Sequence, residues 1–390
     1  MADRTRVGVV GCGLIAQVMH LPYLAELADR FEVVALCDLS EQVARACARR
    51  YGVSRFHTRW PDLLREPLDA VMVATSGDHA PIALGAAEAG LHVFVEKPMA
   101  LCSRDAAAMV SAAHRAGVRL MVGTMKRYDP AYERLGELLP ALRDLRLVRV
   151  TTLESPLEPY VAHYGSIKGP PLDGELLAEL QAAETSPLHA AIGEADELTR
   201  QCYRWILLDN LVHELNALGG VLGEASEVRS ADLSPRCVSI NLRFGQVDCH
   251  LSWVDLPGIA RYRQEFAFYA PDQRLTLALP SPFLRSMPSK LIVEGGEPGT
   301  AHSWRRDEVV SYEEAFKREL IEFSECIATG REARTNGEDG LRDMRLAEAI
   351  AVAHMAREQS AAGGGSDGAR PLGADGDAMI GLRDEAPPSR

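Results

Sequence analysis

Val7-Gly8-Val9-Val10-Gly11-Cys12-Gly13-Leu14-Ile15-Ala16 is a short apolar strand that runs into a G-x-G-x-x-A turn. Each small residue has a physical task there. Gly11 permits the tight turn, Gly13 lets a phosphate-bearing ligand approach the backbone, and Ala16 lets the following helix pack closely on the strand. A pyrophosphate would rest on the amides at the start of that helix, near Leu14 and Ile15. A second strand ends in Cys37-Asp38, which places Asp38 25 residues after Gly13, where an acid hydrogen-bonds the adenosine ribose. Asp38 would repel a 2′-phosphate, and Leu39 and Ser40 supply no arginine to bind one, so NAD is favoured over NADP.

Outward from this turn, strand and helix patterns alternate. Val7–Val10, Val33–Cys37, Ala70–Ala74, His92–Val95 and Leu120–Val122 read as strands, with Ala-rich helical stretches such as Glu41–Tyr51 and Ala80–Ala89 between them. That alternation predicts a parallel Rossmann sheet over residues 1–125. Beyond it, Leu145–Leu153, Ser226–Leu233, Cys237–Phe244, Val247–Val254 and Glu265–Tyr269 predict an α+β domain over 126–360, built on a large, open, mostly antiparallel sheet. Gly245-Gln246 marks a hairpin. Residues 312–329 and 338–358 read as closing helices. An insert at 154–201 carries one or two helices, with Ser186-Pro187 as an N-cap and first turn. Residues 361–390 are Gly-, Asp- and Pro-rich and read as a disordered tail.

The 390-residue chain has a net charge of −13, with no basic stripe that would neutralise phosphates, which argues against nucleic-acid binding. The excess of acid is local. Residues 154–201 hold nine Asp/Glu against Lys168 and Arg200, whereas residues 1–125 hold thirteen of each sign. No signal-peptide pattern or membrane-length apolar run is present, and the expected location is cytoplasmic. The eight cysteines include no C-x-x-C pair and read as reduced, mostly buried thiols.

The segment Ala89-Gly90-Leu91-His92-Val93-Phe94-Val95-Glu96-Lys97-Pro98 resembles the Gfo/Idh/MocA oxidoreductases. Thr75-Ser76-Gly77-Asp78-His79 resembles that family's nucleotide loop, Gly123 to Pro130 its entry into the second domain, and Asn336 to Gly340 the run before its last helix. The resemblance covers residues 5–358 apart from the insert. It implies that Thr75, Ser76, His79, Glu96 and Lys97 join Gly11, Gly13, Leu14, Ile15 and Asp38 around the cofactor. It further implies that Lys97, Asp209 and His213 surround the reacting carbon, with Arg127 and Tyr128 beside the substrate. Tyr160 and His163 of the insert are further substrate candidates. Two departures make inositol or glucose doubtful as substrate: a bulky Tyr203–Leu208, and Met125 where members commonly place asparagine.

Oxidising a secondary alcohol needs a base for the hydroxyl proton while hydride leaves. Asp209 and His213, spaced i, i+4 in a helical stretch over Tyr203–Gly219, would share one face. His213 is therefore expected as acid/base, Lys97 as electrophilic stabiliser and Asp209 as anchor of a substrate hydroxyl. No metal is expected, because the pair has no third ligand. The expected activity is hydride transfer between NAD and a sugar, amino sugar or cyclitol. Alternatives are transient oxidation followed by elimination or hydrolysis, or a non-catalytic NAD-binding sensor. The insert is expected to roof the cleft and favour a neutral or aminated substrate, or else to be a solvated decoration. An apolar sheet face is expected to be covered in a homodimer or homotetramer.

Overall fold

The computed structural model describes residues 4–363. Its first sheet contains β1 (Thr5–Val10), β2 (Phe31–Cys37), β3 (Arg55–His57), β4 (Ala70–Val73), β5 (His92–Glu96) and β6 (Leu120–Gly123), ordered β3-β2-β1-β4-β5-β6. All neighbours are parallel. Strands covered on both faces are apolar throughout rather than alternating, and all four residues of β4 are buried. The helices that cover them are α1 (Leu21–Glu26), α2 (Glu41–Tyr51), α3 (Trp60–Leu63), α4 (Ala80–Glu88) and α5 (Ser103–Ala116). Ser40 Oγ caps α2, which ends on left-handed Gly52 at φ 67°. The strand order reverses between β1 and β4, and ligands of such sheets bind in the crevice this leaves at the strand ends. Sequence reading passes over β3, a three-residue edge strand with no apolar run.

After α6 (Pro130–Leu138) the chain builds a second sheet. It contains β7 (Leu147–Glu154) and β8 (Glu227–Leu233), β9 (Cys237–Phe244), β10 (Val247–Asp255), β11 (Arg263–Tyr269), β12 (Gln273–Leu279), β13 (Lys290–Gly296) and β14 (Ser303–Val309). The order is β14-β13-β12-β11-β7-β10-β9-β8. Only β7 and β10 pair in parallel, and β9 and β10 form the expected hairpin, Phe244 opposite Val247. The three strands after residue 270 were not expected, because β14 is almost wholly polar and Gly and Pro break up the segments around β13.

One face of this sheet, with Val148, Val150, Leu251, Phe266 and Phe268, is buried in a core shared with Leu215, Met344 and Ile350 of the helices α10 (Val212–Leu222) and α12 (Gly337–Gly363). The opposite face is more exposed. It presents Arg149, His250 and Arg263 to solvent and an Arg274–Glu294 ion pair at 2.8 Å. The same face also carries the half-buried Leu147, Leu153, Val254, Tyr269 and Ile292, so polar and apolar side chains are interspersed across it.

The insert contains α7 (Glu158–Val161), α8 (Gly174–Ile192) and α9 (Glu197–Gln201). Pro187 does not open a helix. Asp173 caps α8 through Glu175 N, and the helix runs on through Pro187, whose ring is buried. α11 (Ala315–Thr329) and α12 close the fold, and α12 continues two residues past the expected start of the tail. Residues 364–390, the rest of that expectation, lie outside the described residues.

Candidate active site

The nucleotide side is built at the ends of β1 and β2. Gly11 has φ 96°, and a Cβ there would lie 2.5 Å from the Ala74 carbonyl, so both conformation and contact demand glycine. A Cβ on Gly13 would meet nothing within 4 Å, which leaves open the space a pyrophosphate needs. Ala16 is fully buried where the helix meets the strand. Asp38 is already oriented, one carboxylate oxygen accepting from Cys12 N and the other from Ser40 N, both at 2.9 Å. Leu14 and Ile15 begin the helix, which passes through a π-helical turn at Ala16–His20 before α1. Open cradle, fixed acid and helix N-terminus together fit a dinucleotide.

At the end of β5, Lys97 Nζ donates to the Asp209 carbonyl at 2.6 Å and to Asp209 Oδ1 at 2.9 Å. Asp209 is not on an α-helix. Cys202–Leu211 forms a π-helix that passes into α10 just before His213. Such widened turns alter the i, i+4 geometry and are frequent at functional sites. The bulky Tyr203–Leu208 run lies in this widened segment. His213 is part-buried, and its Nδ1 has no partner among the described residues. Burial pushes its pKa well below the usual imidazole range, helped by the positive charges of Lys126 and Lys97. The ring is therefore a neutral base at physiological pH.

Lys126 is a candidate site residue that sequence reading missed. It is only 5% exposed, and burial together with the neighbouring Lys97 lowers its pKa against the pull of Glu214 and Glu154. Beneath it, Glu214 Oε1 accepts from Thr152 Oγ1 at 2.6 Å and from Gln264 Nε2. Trp253, Thr152 and Gln264 are paired across β10, β7 and β11, which makes one polar row in the sheet floor. Glu214 Oε2 and Gln264 Oε1 are buried without partners among the described residues, leaving groups for a polar ligand, and the Trp253 indole faces the Glu154 carboxylate. Tyr160 belongs to this end, its hydroxyl accepting from Tyr262 N at 2.7 Å.

Several expected site residues are occupied elsewhere. Glu96 is buried and meets His20 Nε2 at 2.5 Å, next to the fully buried Glu319. Side chains alternate along a strand, so Glu96 follows Phe94 to one face and Lys97 takes the other. His79 reaches the Pro98 and Thr75 carbonyls, each at 2.7 Å, and its ring ties the loop to the end of β5 rather than facing a ligand. Thr75 Oγ1 is buried and unpartnered among the described residues, and Ser76 is exposed beside it. The 3₁₀ turn Met125–Tyr128 sends Lys126 toward the site and its neighbours away from it. Arg127 points toward Arg334 and Asp339, and Tyr128 is 1% exposed with its hydroxyl 2.9 Å from Thr335 Oγ1. His163 is exposed, its ring centroid 4.1 Å from that of Tyr164.

Residues 5–124 match the model of an oxidoreductase family with an NAD-binding Rossmann fold. The D-apiose dehydrogenase of Paraburkholderia graminis is 38% identical over 143 residues, covering 36% of this chain and 37% of that protein. An inositol 2-dehydrogenase of Salmonella typhimurium is 32% identical over 138 residues, 34% of this chain and 41% of that protein. The matched stretch thus spans about two fifths of the length of these curated relatives. A levoglucosan dehydrogenase solved with NADH and levoglucosan shares the fold over 91% of this chain and 98% of its own, with a TM-score of 0.71 and 19% identity.

Proposed function

We propose that the chain is a Gfo/Idh/MocA oxidoreductase, a reading supported by the match of its residues 5–124, and that it transfers hydride between NAD and a secondary alcohol or ketone of a sugar, amino sugar or cyclitol. The observation that carries this reading is the convergence of Lys97, Asp209 and His213 at the end of β5, beside the glycine-rich cradle. The bound dinucleotide would accept or return the hydride. Neutral His213 takes the proton of the substrate hydroxyl in the oxidative direction and gives it back in the reductive one. The Lys97 ammonium, held against Asp209, donates to the substrate oxygen as it gains alkoxide character. Asp209, about half exposed, orients the lysine and keeps an oxygen open to a neighbouring hydroxyl. Lys126 holds His213 deprotonated, and the polar row above β7 receives ring hydroxyls. Asp38 supports NAD over NADP, since its carboxylate faces the position a 2′-phosphate would take.

A screen of sugars, amino sugars, cyclitols and their keto forms, read by nicotinamide absorbance, tests this. Turnover that disappears in Lys97→Met while NADH still binds supports the assignment. Turnover that survives in that variant overturns it.

A further inference from the structure

The insert departs from the second sheet yet makes its most specific contacts with the nucleotide-binding one. Arg50 donates to the Gly165 carbonyl at 3.1 Å. Gln17, only 6% exposed and four residues after Gly13, pairs with the Ile167 backbone on both sides: Nε2 donates to Ile167 O at 2.9 Å and Oε1 accepts from Ile167 N at 2.7 Å. Gln17 Nε2 also holds the Cys12 carbonyl inside the glycine-rich turn, at 2.7 Å. Two residues on, Gly169 lies so close to the start of α2 that a Cβ would fall 2.6 Å from Ser40 Oγ. On the other side of the cleft, α8 brings Glu184 within 3.4 Å of where a Gly77 Cβ would stand, in the loop after β4. Arg204 holds that carboxylate from two nitrogens at 3.0 and 3.1 Å.

These contacts trace a line. The chain passes the adenosine-side acid at residues 165–169, continues through the stiff Pro170-Pro171 pair, and returns as α8 beside the loop that faces the cofactor from the other side. We propose that residues 165–173 are a strap across the adenosine half of the dinucleotide cleft, latched by the Gln17–Ile167 pair, and that NAD(H) exchanges only when the latch opens. This rests on the NAD-dependent reading above. It moves the roofing role of the insert from the substrate to the cofactor. Ser166 Oγ, a buried atom of the strap itself without a partner among the described residues, is available to a ribose or phosphate oxygen.

The geometry allows a direct test. A Gly169 Cβ would lie 3.1 Å from Ser40 Cβ, close enough for a disulfide after a small adjustment. In the full-length Ser40→Cys/Gly169→Cys variant, NADH is bound first, the pair is then oxidised, and release is followed by the loss of NADH fluorescence on dilution into excess NAD. Oxidation is expected to slow release at least tenfold, and dithiothreitol to restore the rate of the reduced variant. The unsubstituted protein, given the same oxidant, controls for its own cysteines, of which only Cys237 is exposed. Gln17→Leu removes both latch bonds, together with the tether to the Cys12 carbonyl, and is expected to speed release about tenfold or more. NADH that binds but leaves at one rate in all these forms overturns the strap and leaves the oxidoreductase reading standing. No NADH binding to the unsubstituted protein overturns both.

Discussion

Replacing Lys126 with methionine keeps the length and most of the volume of a side chain that is 5% exposed, and removes only its charge. Burial, and after it two cations, hold His213 below the ordinary imidazole pKa of 6.5, with Lys126 the stronger of the two cations. The oxidative kcat/KM of the wild type should therefore keep its plateau below pH 6.5, falling only where His213 finally takes a proton. A charge within a few ångströms moves a pKa by roughly one to three units. The acid limb of Lys126→Met should thus move to higher pH, narrowing the plateau from its acid side. The stability linkage has a matching sign. His213 is depressed in the fold, so as pH falls below about 6.5 the unfolded chain binds a proton that the folded chain refuses, and stability declines. That decline should be shallower in the variant. A pH–rate profile and urea titrations at pH 5.5 and 7.5 measure both. An acid limb that stays in place in Lys126→Met would show that His213 is not the titrating base or that Lys126 does not act on it.

Other expectations follow from separate parts of the structure. Lys97→Met should lower kcat by about 10²–10³-fold, the usual cost of removing one donor to a developing oxyanion, with NADH binding retained by fluorescence titration. Gly11→Ala should cost about 1–2 kcal/mol for its left-handed φ alone, and more for the contact with Ala74, read as a lowered Tm. Gly13→Ala should melt like the wild type yet lose NADH binding, because its methyl would fill only the open cradle. Asp38→Ala should raise the KM for NAD about tenfold to a hundredfold through loss of a charged hydrogen-bond acceptor, while changing NADP less. Glu319 is fully buried, and burial followed by the charge of Glu96 raises its carboxyl pKa well above the usual range, so the fold keeps a proton that the unfolded chain releases above about pH 4.5. Its stability contribution is present in acid and lost as pH rises. Glu319→Gln should therefore raise Tm more at pH 8 than at pH 5 in thermal melts.

How much of this was legible depended on which period governed each segment. The first sheet could be read because its strands are unbroken β-branched runs, and β9 and α2 matched the sequence reading residue for residue. The G-x-G-x-x-A turn and Asp38 were legible because each residue there answers a local backbone requirement. Glu96 and Lys97 were assigned together although strand alternation already sends neighbours to opposite faces. That signal was in the sequence. Lys126 was not legible in this way, since nothing in Met125-Lys126-Arg127-Tyr128 announces a 3₁₀ turn rather than an α-helix or loop. The π-helix before His213 was equally hidden, because its extra residue per turn leaves no mark in apolar periodicity.

The division at Glu96-Lys97 bears on how the site holds its charge. On one side of β5, Glu96 meets His20 under Phe94 and Phe316, whose rings stand edge-on to the imidazole. On the other side, Lys97 is fixed twice by Asp209. A lysine ammonium on a flexible stem would ordinarily be a poorly placed donor. Here its backbone is anchored through the buried carboxylate of its own neighbour, which accepts from Lys97 N at 3.1 Å, and its head is anchored by Asp209. With both ends fixed, the ammonium can meet a developing alkoxide without reorganising, and the same fixed charge keeps His213 neutral. The acid of the pair thus positions its base without facing the substrate, which is why substituting Glu96 should disturb kcat through Lys97 rather than through cofactor affinity.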